Sequence, residues 1–281
     1  MLFVNPASGG GKAARAALAD RARERGIGVT VVRPDRILAS LVRGAVDGGA
    51  DALGIAGGDG SLAVVAAAAR AHGLPFVCIP AGTRNHFALD LGIDRDDLVG
   101  ALEAFTDGVE RVIDIGSVNG RLFLNNVSLG IYGEAVRQPA YRDAKARTLL
   151  ETARRVLGPS AAAPKLRVVD DLGHEHRHPA VVLVSNNPYA LDRPVAPGTR
   201  PKLDSGRLGV VVIDPPGAGP LPGRAWTATS VEVDGPAPVH EGIDGEAVDL
   251  RTPLVFEILP AALRVRISAR HPGVSPSGRL P

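Results

Sequence analysis

The sequence predicts an α/β domain with a parallel sheet, followed by a β-rich second domain. Three observations carry this. Strand-like and helix-like runs alternate through the first third of the chain, joined by short loops, which implies a parallel sheet with helices on its faces. Beyond residue 112 the pattern becomes strands separated by turns. Within the first third the run "ADALGIAGGDGSLAVVAAAARAHG" joins apolar residues to an alanine-rich helix pattern through a glycine turn, a layout suited to binding a phosphate.

The elements follow in order. "MLFV" reads as a short buried strand and "NPASGGG" as a loop. "KAARAALADRARERG" reads as an amphipathic helix, basic residues outward, stopped by Gly26. "VTVV" is the next strand and 36–47 the next helix. "DALGIA" leads into the glycine turn, 61–72 is helical, and "PFVCI" is a strand before the loop "PAGTRNHFA". Residues 1–114 form this first domain.

In the second domain, 115–270, "VIDIGSVNGRLFLNNVSLG" has turn signals at Gly116 and Asn119-Gly120 that favour a hairpin. A helix is expected over 140–157, ended by Gly158-Pro159. The strands that follow are "KLRVVDDLG", "AVVLVSNN", "GRLGVVVID", "TATSVEVDG", "PLVFEIL" and "LRVRIS". "DPPGAGPLPG" reads as a loop and 271–281 as a disordered tail. A cleft between two such domains is the natural place for a ligand.

Composition narrows the function. The chain is 45% apolar but only 4% aromatic, enough to build a core from Ala, Val and Leu. A net charge of +2, from 32 basic and 30 acidic residues, gives no basic footprint for nucleic acid. The single cysteine, Cys78, rules out a disulfide framework and fits a reducing compartment. The opening "MLFVNPASGG" has no charged leader with an apolar h-region, and no apolar run spans a bilayer. A cytoplasmic chain is expected.

Three loops fall at the C-terminal ends of first-domain strands, where open parallel sheets bind ligands. They are Asn5-Pro6-Ala7-Ser8-Gly9, Gly57-Gly58-Asp59-Gly60-Ser61 and Pro80-Ala81-Gly82-Thr83-Arg84-Asn85. Ser8, Ser61 and Thr83 can donate to phosphate oxygens, and Lys12 can add charge beside the first loop. Ordinary tight turns are the plain alternative, and three on one sheet edge argue against it. No G-x-x-x-x-G-K-[ST] string occurs, nor the spaced G-x-G-x-x-G of a dinucleotide fold. Asp59 puts an acid in an anion cradle. That is tolerable if a divalent cation lies between acid and polyphosphate, since Mg²⁺ commonly joins a carboxylate to substrate phosphates. Accepting a bond from a ribose hydroxyl is the other role open to it.

Together, "VNPASGGGK", "GGDGS", "PAGTRNHFA" and "GIDGE" at 242–246 resemble the diacylglycerol kinase catalytic-domain family, in its bacterial lipid-kinase branch. The resemblance extends over nearly the whole chain, through "NNVSLGIYG", "VSNNPYA" and "KLDSGRLGV". It implies a first domain of the NAD kinase and phosphofructokinase type and a β-sandwich-like second domain. It implies ATP and Mg²⁺, with nucleotide held by Asn5, Pro6, Ala7, Ser8, Gly9, Lys12, Gly57, Gly58, Asp59, Gly60, Ser61, Gly82, Thr83 and Asn85. Asp59 and Asp114 are the implied metal acids. Phosphoryl transfer also needs an acid to take the acceptor's proton. The motif supplies Asp244 first and Glu246 second, and Asp244 requires no unusual pKa for the task. The implied acceptor is a lipid hydroxyl, diacylglycerol ahead of a sphingoid base or another lipid alcohol, in the γ-phosphoryl transfer of phospholipid metabolism.

The chain departs from the family at Ser61, where Thr is commoner, at His86, where many relatives have Asp, and at Ser205, where an Asp helps build a structural Mg²⁺ site. Asp204 would face the wrong way to replace it. Two other readings stand beside the lipid kinase: an NAD-kinase-like enzyme with a soluble acceptor, and an inactive nucleotide-sensing or partner-binding module. A lipid substrate requires peripheral contact with a membrane, for which a basic helix face over 137–155 is the candidate. The sequence leaves a homodimer open. His174, His176 and His178 alternate and would share a strand face, more as an exposed hairpin than as a metal site.

Overall fold

A computed structural model describes residues 1–130, 165–190, 199–215, 223–236 and 239–271. The chain divides into two compact units. The first comprises Met1–Ile113, Pro201–Asp204 and Ala261–Pro281, and the second Asp114–Arg200 and Ser205–Pro260.

In the first unit the strands β1 (Leu2–Val4), β2 (Val29–Val31), β3 (Leu53–Ala56) and β4 (Phe76–Ile79) pair in parallel in the order β2-β1-β3-β4. Every residue of β1, β3 and β4 is buried. Central strands of a parallel sheet are covered on both faces, which is why these runs are continuously apolar rather than alternating. The expected helix from Lys12 to Gly26 is interrupted. It forms as α1 (Lys12–Arg15) and α2 (Leu18–Glu24), with Ala17 at φ 47° between them. Next come α3 (Leu38–Asp47), α4 (Asp59–Ala71) and α5 (His86–Asp90). Helix α4 buries Leu62, Val65, Ala66 and Ala69, the i, i+3, i+4, i+7 stripe of a helix on a sheet. Cys78 is an inert core thiol, since burial pushes its pKa up.

The second unit is antiparallel. It begins with β5 (Gly108–Val118), whose residues from Asp114 onward belong to it, then β6 (Arg121–Phe123) and β7 (Asn126–Gly130). The strands β8 (Arg167–Asp170), β9 (Glu175–Arg177), β10 (Val181–Asn186), β11 (Leu208–Ile213), β12 (Gly223–Ala228) and β13 (Ser230–Asp234) follow. The hairpin β14 (Val239–Ile243) and β15 (Glu246–Leu250) precedes the final strand β16 (Leu254–Ser268). One sheet has the order β12-β11-β10-β7-β14-β15. The other side of the core carries β5, β6, β8, β13 and the start of β16. Val127, Leu129, Val182 and Val210 of the first sheet share one buried cluster with Phe123, Val168, Val233 and Phe256. This is the expected β-sandwich-like domain.

Several expectations need correction. The runs "PLVFEIL" and "LRVRIS" form the single strand β16, and from Ala261 onward it belongs to the first unit. "TATSVEVDG" is two strands, broken at Thr229, whose backbone N–H donates to Asp171 Oδ2 at 2.8 Å. Asn119-Gly120 does make the hairpin turn, at φ 48° and 78°, but Gly116 lies within β5. Its missing side chain leaves room for the Phe123 ring, which a Cβ would overlap. Gly116→Ala is therefore expected to lower stability by about 1–3 kcal/mol, the usual cost of overpacking, read as a lower urea midpoint. The helix expected over 140–157 with its basic face, the loop within 216–222 and the tail from 272 lie outside the described residues.

Candidate active site

In the first unit, three loops meet where β1, β3 and β4 end. Gly9 has φ 56°, and a Cβ there would run into the Ala81 carbonyl oxygen. A Cβ on Gly82 would lie 2.9 Å from Gly58 Cα and 3.1 Å from the Gly57 carbonyl oxygen. The loops touch backbone to backbone, and only glycine permits that approach. The Asn5 carboxamide accepts the Ala7 N–H at 3.1 Å, which closes the first turn. Gly58 caps α4 in extended conformation and has open space where a side chain would be. No side chain caps this 13-residue helix. Its N-terminal end is thus a glycine cradle with Asp59 in its first turn and the Ser61 hydroxyl beside Gly57.

Two residues expected to touch nucleotide have partners within the protein. Asn85 is buried, and its carboxamide braces its own loop: Oδ1 accepts the Gly82 N–H at 2.8 Å, and Nδ2 donates to the Pro80 and Gly82 carbonyls at 3.0 and 2.9 Å. Lys12 Nζ donates to the Arg95 carbonyl at 3.3 Å and pairs with Asp96 at 3.8 Å. Thr83 is exposed, as are Pro6 and Ala7.

The second unit holds Asp114, Asp244 and Glu246. Asp114 is buried, and its Oδ2 accepts the Gly206 N–H at 2.7 Å, which fastens the loop before β11 to β5. It belongs to a different unit from Asp59. Where the family resemblance puts a metal-binding acid, Ser205 instead donates its N–H and hydroxyl to Asn187 Oδ1. Asp204 is exposed and falls in the first unit. Of the three histidines, His174 Nδ1 lies 3.0 Å from Asp170 Oδ2, and His176 stacks on Trp226 at 4.5 Å.

Asp244 and Gly245 are the two central residues of the β14–β15 hairpin, at φ 49° and 86°, with Ile243 opposite Glu246. Asp-Gly suits this turn, which needs positive φ at both positions. Glu246 points into solvent, while Asp244 is 8% exposed. The Asp244 carboxylate accepts three backbone N–H groups: Leu124 on Oδ2 at 2.8 Å, and Asn125 and Asn126 on Oδ1 at 2.7 and 3.1 Å. Burial pushes its pKa up to about 6, against the opposing pull of these donors and of the Arg200 charge. The ordinary carboxylate pKa expected from sequence is thus replaced by one closer to neutrality.

Sequence reasoning missed the residues around this carboxylate. Arg200 is wholly buried and donates to Leu124, Asn125 and Asn186. Asn126 Nδ2 donates to the Tyr189 hydroxyl at 2.8 Å, and Asn186 Nδ2 to the Asp114 carbonyl at 3.0 Å. The readable signal was a pair of asparagine doublets at strand ends, "NNV" and "SNNPY".

Comparison with known proteins now decides the family. The model of the diacylglycerol kinase catalytic domain matches residues 1–118. A probable lipid kinase, YegS-like, from Pseudomonas aeruginosa (strain UCBPP-PA14) is 30% identical over 294 residues, spanning 97% of this chain and 95% of that protein. The chain belongs to the diacylglycerol kinase catalytic-domain family. A diacylglycerol kinase from Bacillus subtilis (strain 168) is 47% identical over 72 residues, 25% of this chain and 24% of that protein. The crystal structure of a putative diacylglycerol kinase from Bacillus anthracis str. Sterne has the same fold, with a TM-score of 0.71 at 19% identity over 96% of this chain and 97% of that one. Among the described residues no helix is long and apolar enough to cross a membrane.

Proposed function

We propose that this family member is an ATP-dependent lipid kinase, a phosphotransferase that moves the γ-phosphoryl group to a lipid hydroxyl, with diacylglycerol the leading acceptor. The observation that carries this reading is the meeting of three glycine loops at the N-terminal end of α4. Backbone N–H groups at a helix start attract phosphate, and the open space at Gly58 suits close approach by one. The Asn5 and Asn85 loops act by shape, and the Ser61 hydroxyl adds a donor.

Asp59 fits Mg²⁺, because a carboxylate in an anion-seeking turn is compatible with polyphosphate only when a cation lies between them. When bound, Mg²⁺ would neutralise phosphate charge as the phosphoryl group leaves. Asp114 stays a proposed second acid, with one oxygen already on Gly206. In the second unit Asp244 takes the acceptor's proton. Oδ1 holds two N–H groups and Oδ2 one, so Oδ2 retains acceptor capacity and is the atom that receives it. A pKa of about 6 keeps the group ionised at neutral pH and basic enough to work. Glu246, exposed past the turn, is the weaker candidate. A lipid acceptor implies peripheral contact with a membrane surface.

The test is a panel of acceptors with labelled ATP and Mg²⁺: diacylglycerol, monoacylglycerol and a sphingoid base in mixed micelles, and NAD in solution. Label entering diacylglycerol is expected. Transfer to NAD alone would move the reading to a soluble-acceptor kinase, and ATP binding without transfer to any acceptor would favour a sensing module.

A further inference from the structure

We propose that Arg200 is a positioning residue for Asp244, acting on it through the two peptide groups between Leu124 and Asn126. The inference rests on the reading of Asp244 as the base. Arg200 Nη1 donates to the Leu124 carbonyl at 2.6 Å, and the N–H of that same peptide group, on Asn125, donates to Asp244 Oδ1 at 2.7 Å. The next peptide group repeats the pattern. Its carbonyl, on Asn125, accepts Arg200 Nη1 at 3.2 Å, and its N–H, on Asn126, donates to Asp244 Oδ1 at 3.1 Å. Two consecutive peptide dipoles therefore lie between a cation on their oxygen side and an anion on their hydrogen side.

The arrangement has a physical cause. Arg200 is 0% exposed, and a guanidinium that deep is tolerable only when its donors are satisfied and its charge is balanced. Nη1 also donates to the Asn186 carbonyl at 2.7 Å, Nη2 to Asn125 Oδ1 at 2.9 Å, and the guanidinium lies 5.8 Å from the Tyr189 ring centroid. Hydrogen bonds in series polarise one another in a low-dielectric interior, so each bridged peptide binds the carboxylate more firmly than a peptide whose carbonyl faces water. Asp244 itself sits in a left-handed turn position that a hairpin alone would leave free to rotate at its side chain. The two polarised N–H groups fix Oδ1 and so turn Oδ2 to its task. Other charges near Asp244 among the described side chains are Arg121 on β6 and Glu246 and Asp249 on β15. The Arg200 charge favours the ionised form of Asp244.

The experiment follows the Asp244 carboxyl by ¹³C NMR in aspartate-labelled full chain, assigned by its absence in Asp244→Asn, so no acceptor is needed. The wild-type midpoint is expected at about 6. Arg200→Gln removes the cation, and the midpoint should rise, as loss of an opposite charge favouring the ionised form does. Diacylglycerol phosphorylation should then lose its acidic side at correspondingly higher pH, with KM for ATP unchanged. An unmoved midpoint in a folded Arg200→Gln variant overturns the proposal. Should that variant not fold, Arg200→Lys keeps the charge but ends one atom short of the Nη1 that holds both carbonyls and has no second nitrogen for Asn125 Oδ1. A fall in kcat of about tenfold, with KM for ATP unchanged, is expected of the lost bridge, and wild-type kcat overturns the proposal. The base reading fails separately: a moved midpoint together with near-normal transfer by Asp244→Asn would leave the coupling and remove the base.

Discussion

Lipid phosphorylation by Asp244→Asn is expected to fall about 10²–10⁴-fold, the usual worth of a general base. The substitution isolates the chemistry. Asn is among the residues that best tolerate the left-handed conformation at position 244, where φ is 49°, so the hairpin should survive. Its carbonyl oxygen can still accept from Asn125 and Asn126, while its amide meets the Leu124 N–H unfavourably, so a modest drop in Tm accompanies the loss. ATP affinity should hardly change, because the loops proposed to hold nucleotide belong to the other unit. The wild-type rate should rise with pH through about 6, where the carboxyl loses its proton and becomes able to take another. In the variant that limb should vanish. The check is kcat and KM for ATP and for diacylglycerol across pH 5–8, with near-normal kcat in the variant as the contrary result. Glu246→Gln, on an exposed side chain, should be close to wild type.

Asp59→Ala should abolish Mg²⁺-dependent turnover. A metal's contribution to transition-state charge is several kcal/mol, and each 1.36 kcal/mol is tenfold in rate, so a loss of about 10²-fold or more is expected. The fold should persist. The acid at the start of α4 contributes only about 0.3–1 kcal/mol through the helix dipole. Titrating Mg²⁺ against turnover in both proteins is the check, and wild-type rates for the variant at ordinary Mg²⁺ would remove Asp59 from the metal site.

What the sequence made legible was what is local. The strands β1, β3 and β4 announce themselves as apolar runs because both faces are covered. The glycine loops are readable because a turn that must admit another backbone leaves no room for a side chain, as at Gly9 and Gly82. The Asp-Gly pair predicts its own turn. Illegible were features fixed by distant partners. Ala17 breaks a helix with no glycine or proline to mark it. Gly116 looks like a turn residue, yet it is there for the Phe123 ring. The end of β16 returns to the first unit by pairing Val265 with Phe76, a choice no local pattern encodes. Arg200 reads as one more surface arginine, because the carbonyl it holds on Leu124 lies 76 residues away. The raised pKa of Asp244 was unreadable for the same reason, since burial is a property of the assembled sandwich.

The most direct measurement places purified chain, Mg²⁺ and diacylglycerol micelles with ATP labelled either at the γ- or at the α-phosphate, and counts label in the organic extract. The account predicts that γ-label enters the lipid phase, that α-label does not, and that Asp244→Asn transfers about 10²-fold less or lower still. Lipid phases free of γ-label with every acceptor offered, or equal transfer by the variant, would contradict it.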